Sequence, residues 1–158
     1  MGRGFGCAGM SVTYQKERFI DIMAELPPLF VAHDHEVHTE KEALPLNPHW
    51  AGYLTSEQRG SLHIVTARDN GKLVGYVFLF VNLSFQISRL IAITDLIYLA
   101  PEYRRGFEGV KMLKKAKEMA RSLDAVKLYL IAHGSEGLER VFSRLGASKA
   151  ETVYAMLL

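Results

Sequence analysis

The stretch "DLIYLAPEYRRGFEGVKMLKKAKEMARSLD", residues 95–124, runs from an apolar segment through Pro101, two arginines and two glycines into a basic helical pattern. Arginines and glycines at the point where a helix begins suit an anion. Free N–H groups and the helix dipole favour negative charge there, and glycine lets the backbone approach closely. The amides of Arg105, Gly106, Phe107, Glu108 and Gly109, continuing into Val110, would wrap a phosphate, with Arg104, Arg105 and Lys111 adding charge. The competing reading is an ordinary strand-to-helix turn with a solvated basic face, under which Lys114, Lys115, Lys117 and Arg121 partly fall.

A second group of chemistry-bearing side chains is the run "AHDHEVH", with His33, Asp34, His35, Glu36 and His38, and His49 nearby. On a helix His35 and His38 share a face but His33 points elsewhere. Spacing fixes no third ligand, so no metal site is assigned, and a solvated helix face is the simpler reading.

The elements that position these residues follow from periodicity. Phe19, Ile22, Met23 and Leu26 recur at helical spacing, which predicts a helix over 14–26 stopped by Pro27-Pro28. A second helical piece covers "LFVAHDHEVHTEKEAL", and a third is capped by Asn47, opens on Pro48 and ends at Gly60. The period then changes to two. "SLHIVTARD" and "KLVGYVFLFVNL" read as strands joined at Asn70-Gly71, a strong hairpin signal. "RLIAITDLIYLA" is a third strand, followed by a helix from about 107 to 122, a strand "VKLYLIA", a short helix "SEGLERVFSRLGA" and a last strand "TVYAMLL". The chain reads as helices, an antiparallel meander, then β-α-β-α-β, in a single domain over 11–158 behind a disordered leader over 1–10; Met10 could be the natural start.

Composition bounds the function. With 158 residues, 49% hydrophobic and 23% charged, the chain buries one sizeable core. A formal net charge of +2 argues for neither nucleic acid nor a membrane surface, and the apolar runs are too short and β-branched to span a bilayer as helices. The single cysteine, Cys7, excludes an internal disulfide and fits a reducing cytoplasm, and "MGRGFGCAGM" lacks the apolar centre of a signal peptide.

Order and motif together resemble the GNAT superfamily of acyl-CoA-dependent N-acyltransferases, over roughly 61–158 and more loosely over the first third. The family pattern at the phosphate loop is Arg or Gln, two residues, Gly, one residue, then Gly or Ala, often after Pro-Glu-Tyr. In "PEYRRGFEG" Arg104 matches the first position and Gly109 the last; Phe107 stands where the first Gly is usual, with Gly106 one residue earlier. The second match is "VFSRLGA", in which Leu145 and Gly146 fit, Ala147 replaces the usual Phe, and Phe142 takes the place of a Tyr that commonly protonates the departing thiolate. The loop and the "HDHEVH" helix are also similar to small phage- and prophage-encoded members. The resemblance implies an α/β (α+β) fold with a mixed, mostly antiparallel sheet flanked by helices on both faces. It implies acetyl-CoA as cosubstrate, bound through its pyrophosphate at the loop, with Ile97, Tyr98 and Leu99 against the pantetheine arm, and an acceptor pocket walled by the helical first third.

Acyl transfer to an amine needs the neutral amine, because an ammonium has no lone pair. Asp95 is the leading general base: alternation puts it on a face with Ile91, Ile93 and Ile97, where desolvation would raise its pKa. A structural Asp at a strand bulge is the alternative. Tyr154, Tyr98 and His133 are the candidates for the proton donor, with Tyr154 preferred for its place in the last strand and His133 as acid or relay. The resulting expectation is an N-acetyltransferase in which an amine attacks directly in a ternary complex. Two other classes stay open: a non-catalytic acyl-CoA-binding module, favoured by Phe142 and Phe107, and a phage protein directed at nucleic acid, favoured by the cationic run from Arg104 to Arg121. The amine acceptor is not named by the sequence, and a homodimer through "TVYAMLL" is compatible with it.

Overall fold

A computed structural model describes residues 11–158. The expected leader, with Cys7 and Met10, lies outside the described residues.

Alternating residues near the start make a strand, β1 (Val12–Glu17), where a helix was expected. The helical spacing of Phe19, Ile22 and Leu26 still reports real burial, since all three are fully buried. The single turn α1 (Phe19–Ile22) carries the first two, and Leu26 opens α2 (Leu26–Val37). Pro27 and Pro28 therefore begin a helix and do not stop one. A proline in the first helical turn gives up an N–H that has no intrahelical acceptor anyway, and its fixed φ already suits the helix. Next comes α3 (Trp50–Gln58), with His49 and not Asn47 at the cap position, and Gly60 beyond it at φ +74.

The hairpin signal holds: β2 (Leu62–Asp69) and β3 (Lys72–Ser84) are joined by Asn70 and Gly71, both at positive φ. β4 (Arg89–Leu99) continues the meander; α4 (Glu108–Ser122), β5 (Lys127–Tyr129) and α5 (Glu136–Arg144) complete the fold. The sheet runs β1-β2-β3-β4-β5, antiparallel except for the parallel pair β4 and β5. The expected last strand is not formed. Residues 152–158 have no regular structure and are exposed.

The two faces of the sheet make two cores. On one, Met112, Leu113, Ala116, Met119 and Ala120 of α4 pack on Val77, Leu79, Val81 and Ala92, which leaves Lys114, Lys115, Lys117 and Arg121 in water. On the other, α1, α2 and α3 cover Tyr76 and Phe78 through an aromatic cluster in which Phe19, Phe30, Trp50 and Tyr53 meet ring to ring. Such pairs add about 0.5–1.5 kcal/mol each beyond area burial. Arg68 of β2 ties the end of β1 to the start of α2, donating to both carboxylate oxygens of Glu17 (2.8 and 3.0 Å) and of Glu25 (3.0 and 2.8 Å).

Gly75, in the middle of β3, has no room for a side chain: a Cβ would stand 2.6 Å from the Tyr98 carbonyl oxygen and 3.1 Å from the Leu99 Cα. Both are backbone atoms of the neighbouring strand and cannot turn aside. Gly75→Ala is expected to destabilise the protein by about 1–3 kcal/mol, seen as a lower urea midpoint at unchanged m.

Candidate functional site

Three local features of β4 open a site at its C-terminal half. The first is a bulge. Phe78 pairs with Leu96 and Leu79 with Thr94, which leaves Asp95 with no partner in β3. The extra residue also reverses the alternation. Ala92 and, past the bulge, Ile97 and Leu99 belong to the α4-side core, so Ile97 does not share a face with Ile91 and Ile93 as strict alternation required.

The second feature is a fork. β5 pairs with β4 only from Ile91 to Ile93, after which the strands part. Thr94, fully buried, stitches the fork: its hydroxyl donates to the Tyr129 carbonyl (3.4 Å) and accepts from the Ile131 amide (3.0 Å). Beyond it, the edge of β4 that faces away from β3 has no strand beside it among the described residues.

At the fork lie two of the three expected catalytic residues. His133, at φ +46, donates from Nε2 to the Asp95 carbonyl oxygen at 3.3 Å, which leaves Nδ1 as the nitrogen able to exchange a proton. The Asp95 side chain reaches solvent in the cleft, yet enough protein surrounds it that desolvation raises its pKa, with the nearby His133 charge pulling the other way. Tyr154 is not brought here: the strand expected to carry it is absent, and the residue is 91% exposed. Phe142 is buried in the α4-side core and faces no cleft.

The third feature is the loop into α4. Gly106 has φ +62, so it supplies the conformational freedom that Phe107, at the usual glycine position, does not. Phe107 occupies the cap position, and among the described residues the amides of Gly106, Phe107, Gly109 and Val110 have no acceptor. Gly109 backs onto α5, where an alanine methyl would touch Val141 at an ordinary 3.6 Å, as a Gly-or-Ala position requires. Glu108 brings a negative charge to this helix start. Burial pushes its pKa up, but hydrogen bonds from Lys111 (2.7 Å) and from the Tyr14 hydroxyl outweigh this and hold the carboxyl below its ordinary range.

Arg104 departs from its expected part. Its Nε donates to the Leu99 carbonyl (2.6 Å) and its Nη2 to both Glu36 oxygens (2.8 and 2.7 Å), with the guanidinium over the Tyr98 ring. Its side chain therefore ties the loop to α2, and its amide is spent on the Pro101 carbonyl. Arg105 is exposed and makes no ion pair among the described residues. The side chains of Ile97 and Leu99 point into the α4-side core and that of Tyr98 into the other, so only the backbone of these three residues borders the fork.

Sequence reasoning missed the most enclosed polar pair in the molecule. His33, 4% exposed, shares a hydrogen bond of 3.0 Å between its Nδ1 and the hydroxyl of fully buried Tyr76, and lies against Tyr98. Burial, with smaller contributions from His133 and Arg104, pushes the His33 imidazole down to about 4. A signal existed, since Leu26, Phe30, His33 and Val37 form one helical stripe and place His33 on the inner face. The other histidines of this run are engaged separately: His38 donates to Asp34 at 2.8 Å, and His35 accepts from Lys41 at 3.2 Å. Among the described residues no three His, Cys, Asp or Glu side chains are grouped to hold a metal ion.

Above His33 and Tyr76 opens a cavity of about 360 Å³, walled by α2, the segment 44–48 and Tyr53 of α3, with Leu96 of β4 on its floor. Leu96 is the neighbour of Asp95 in the chain. The cavity wall and the fork thus both reach the bulge, one through Leu96 and the other through Asp95.

Among curated protein sequences none matches this chain. Solved structures do. An aminoglycoside acetyltransferase from an uncultured soil metagenomic sample superposes with a TM-score of 0.75 at 15% identity, covering 94% of this chain and 99% of the other. The ribosomal-protein-alanine N-acetyltransferase of Brucella melitensis biovar Abortus 2308 gives a TM-score of 0.69 at 19% identity over 94% and 99%. An acetyltransferase of Trypanosoma brucei gives 0.68 at 19% over 94% and 100%. At these identities the likeness is one of fold. The sequence itself carries the family: the model of the acetyltransferase (GNAT) family matches residues 9–147, so the chain belongs to that family.

Proposed function

We propose that this chain transfers the acetyl group of acetyl-CoA to a primary amine by direct attack, with both substrates bound together. The observation that carries the reading is the fork at the β4 bulge. It leads from a helix start with free amides to the Asp95 carboxylate, and the neighbouring Leu96 lines a cavity.

The residues fit the cosubstrate. The amides of Gly106, Phe107, Gly109 and Val110 with the Arg105 guanidinium suit a pyrophosphate, and the unpaired edge of β4 suits an extended amide-bearing arm. When bound, acetyl-CoA supplies the thioester carbonyl that the amine attacks. Asp95 removes a proton from the incoming ammonium, and its raised pKa makes it a better base for that purpose. As the C–N bond forms and the C–S bond breaks, the sulfur needs a proton, which His133 can hold on Nδ1 while its Nε2–H stays on the Asp95 carbonyl. Tyr98, the other candidate donor, turns its side chain into the core under α2, away from the fork, and burial, the largest cause, and the Glu36 charge raise its pKa.

Calorimetric titration of acetyl-CoA into the wild type and into Arg105→Ala tests the cofactor half of this reading. A charge-assisted phosphate contact contributes about 1.5–3 kcal/mol, so the variant is expected to bind roughly 10- to 100-fold more weakly. Loss of thioester with an amine present, measured on the same samples, separates turnover from binding alone. Wild-type protein that takes up no acetyl-CoA would sink the proposal.

A further inference from the structure

The cavity beside the β4 bulge has a composition that selects among amines. Its wall is apolar over most of its extent, with Phe30, Val37, Leu44, Leu46 and Leu96 among the lining side chains. Four of its polar side chains pair off, His33 with Tyr76 and His38 with Asp34, which leaves the Asn47 amide and the Tyr53 hydroxyl as the uncharged polar groups of the wall. His33 is buried and bonded to Tyr76, so the base of the cavity carries no charge to meet a cation. Asp34 is the single carboxylate of the wall, and it accepts from His38 at 2.8 Å. The reacting carboxylate stands outside, at the Leu96 end. Asp95 is exposed and precedes the lining Leu96 in the chain, and its charge is the second cause, after burial, of the raised pKa of the lining Tyr53 phenol.

Resting on the acyltransfer reading, we propose that the cavity takes the carbon body of a compact monoamine, aliphatic or aryl, whose amino group stays at the mouth beside Asp95. A volume of about 360 Å³ lies at the small end of ligand pockets and accommodates such a body. A polyamine would carry a second ammonium inward, away from water, where the only carboxylate is already occupied, and an unpaired buried charge is strongly disfavoured. A multiply charged amino sugar meets the same obstacle and adds hydroxyls for which the apolar wall offers few partners. The fold likeness to aminoglycoside acetyltransferases therefore does not extend to their acceptor here.

Trp50 provides a readout that does not depend on catalysis. It is the only tryptophan in the chain, and it stacks on Phe30 of the cavity wall with centroids 5.5 Å apart and planes 12° from parallel. Isoamylamine and phenethylamine are expected to change its emission saturably, at concentrations at least about 10-fold below those needed for spermidine or sisomicin, a margin of about one unit in log K. Leu46, on an exposed part of the wall, allows a reversal: Leu46→Asp supplies an unengaged carboxylate and should narrow or invert the preference, with its melting temperature as the check on folding.

Equal or tighter binding of spermidine or sisomicin would overturn the inference, as would no saturable change with either apolar amine, or an unchanged preference in folded Leu46→Asp. Acetyl-CoA binding is measured separately on the same protein. Selective uptake of apolar amines without acetyl-CoA binding would uphold the cavity assignment and sink acyl transfer. Acetyl-CoA binding with selectivity for polycations would do the reverse.

Discussion

Asp95→Asn is expected to lower kcat for acetyl transfer by about 10²- to 10⁴-fold, the usual contribution of a positioned general base, while leaving acetyl-CoA affinity nearly unchanged. The asparagine keeps the shape of the side chain at the bulge and removes only the ability to take a proton. In the wild type the rate should rise with pH through a pKa above the ordinary carboxylate range, because desolvation is the larger influence on Asp95 and the His133 charge only partly offsets it. His133→Ala removes that opposing charge and should move the acid limb to still higher pH. Stability should respond in the opposite sense to activity. A carboxyl whose folded pKa is raised binds more protons in the folded than in the unfolded state across the interval between the two, so stability falls as pH rises through that interval. At neutral pH Asp95→Asn should therefore be at least as resistant to urea as the wild type. An Asp95→Asn enzyme with wild-type kcat would assign the proton acceptor elsewhere and leave Asp95 as a bulge residue.

His33 gives the second large effect, on stability. Its folded pKa is depressed from 6.5 to about 4, chiefly by burial, so between these values the unfolded chain takes up a proton that the folded protein refuses. The stability that His33 contributes as a neutral group is present above pH 6.5 and is lost as pH falls toward 4. Integrated over that window, the loss is on the order of 3 kcal/mol. Other groups titrate below it in the same direction. Glu17, where desolvation is outweighed by Arg68 and Thr66, and Glu25, paired with Arg68, both have lowered pKa values. The measurement is accordingly a difference. Urea midpoints of the wild type and of His33→Asn, whose amide can still bond the Tyr76 hydroxyl, are compared from neutral pH downward. The wild type should lose stability faster than the variant as pH drops below 6.5. Parallel curves would mean that His33 accepts a proton without cost, and that its burial does not hold it neutral.

The same two residues mark where sequence reading works and where it stops. The turn into α4, the Asn70-Gly71 hairpin and α4 itself are each specified within a few neighbouring residues, by glycine conformation, turn chemistry and a 3.6-residue apolar stripe, and each is found where its pattern put it. The errors come from patterns with two local solutions. Pro27-Pro28 reads equally as the end of one helix or the first turn of the next, and the core packing of Leu26 and Phe30 selects the second. "TVYAMLL" alternates like a strand, but alternation specifies no partner, and residues 152–158 pair with no strand among the described residues.

What the sequence by itself determined is the family, the order of the main elements and the glycine-bearing turn into α4, because all of these rest on short-range periodicity and on residue types with narrow backbone preferences. Only the tertiary structure decided how side chains pair across long separations. Asp95 is turned out of the ladder by a register shift against β3 that no spacing within β4 reveals. Arg104 pairs with Glu36, 68 residues away in sequence, and His33 is bonded to Tyr76, 43 residues away. Charge, protonation state and pocket polarity depend on which partner arrives first in space, and that is settled by the packing of α2 on the sheet.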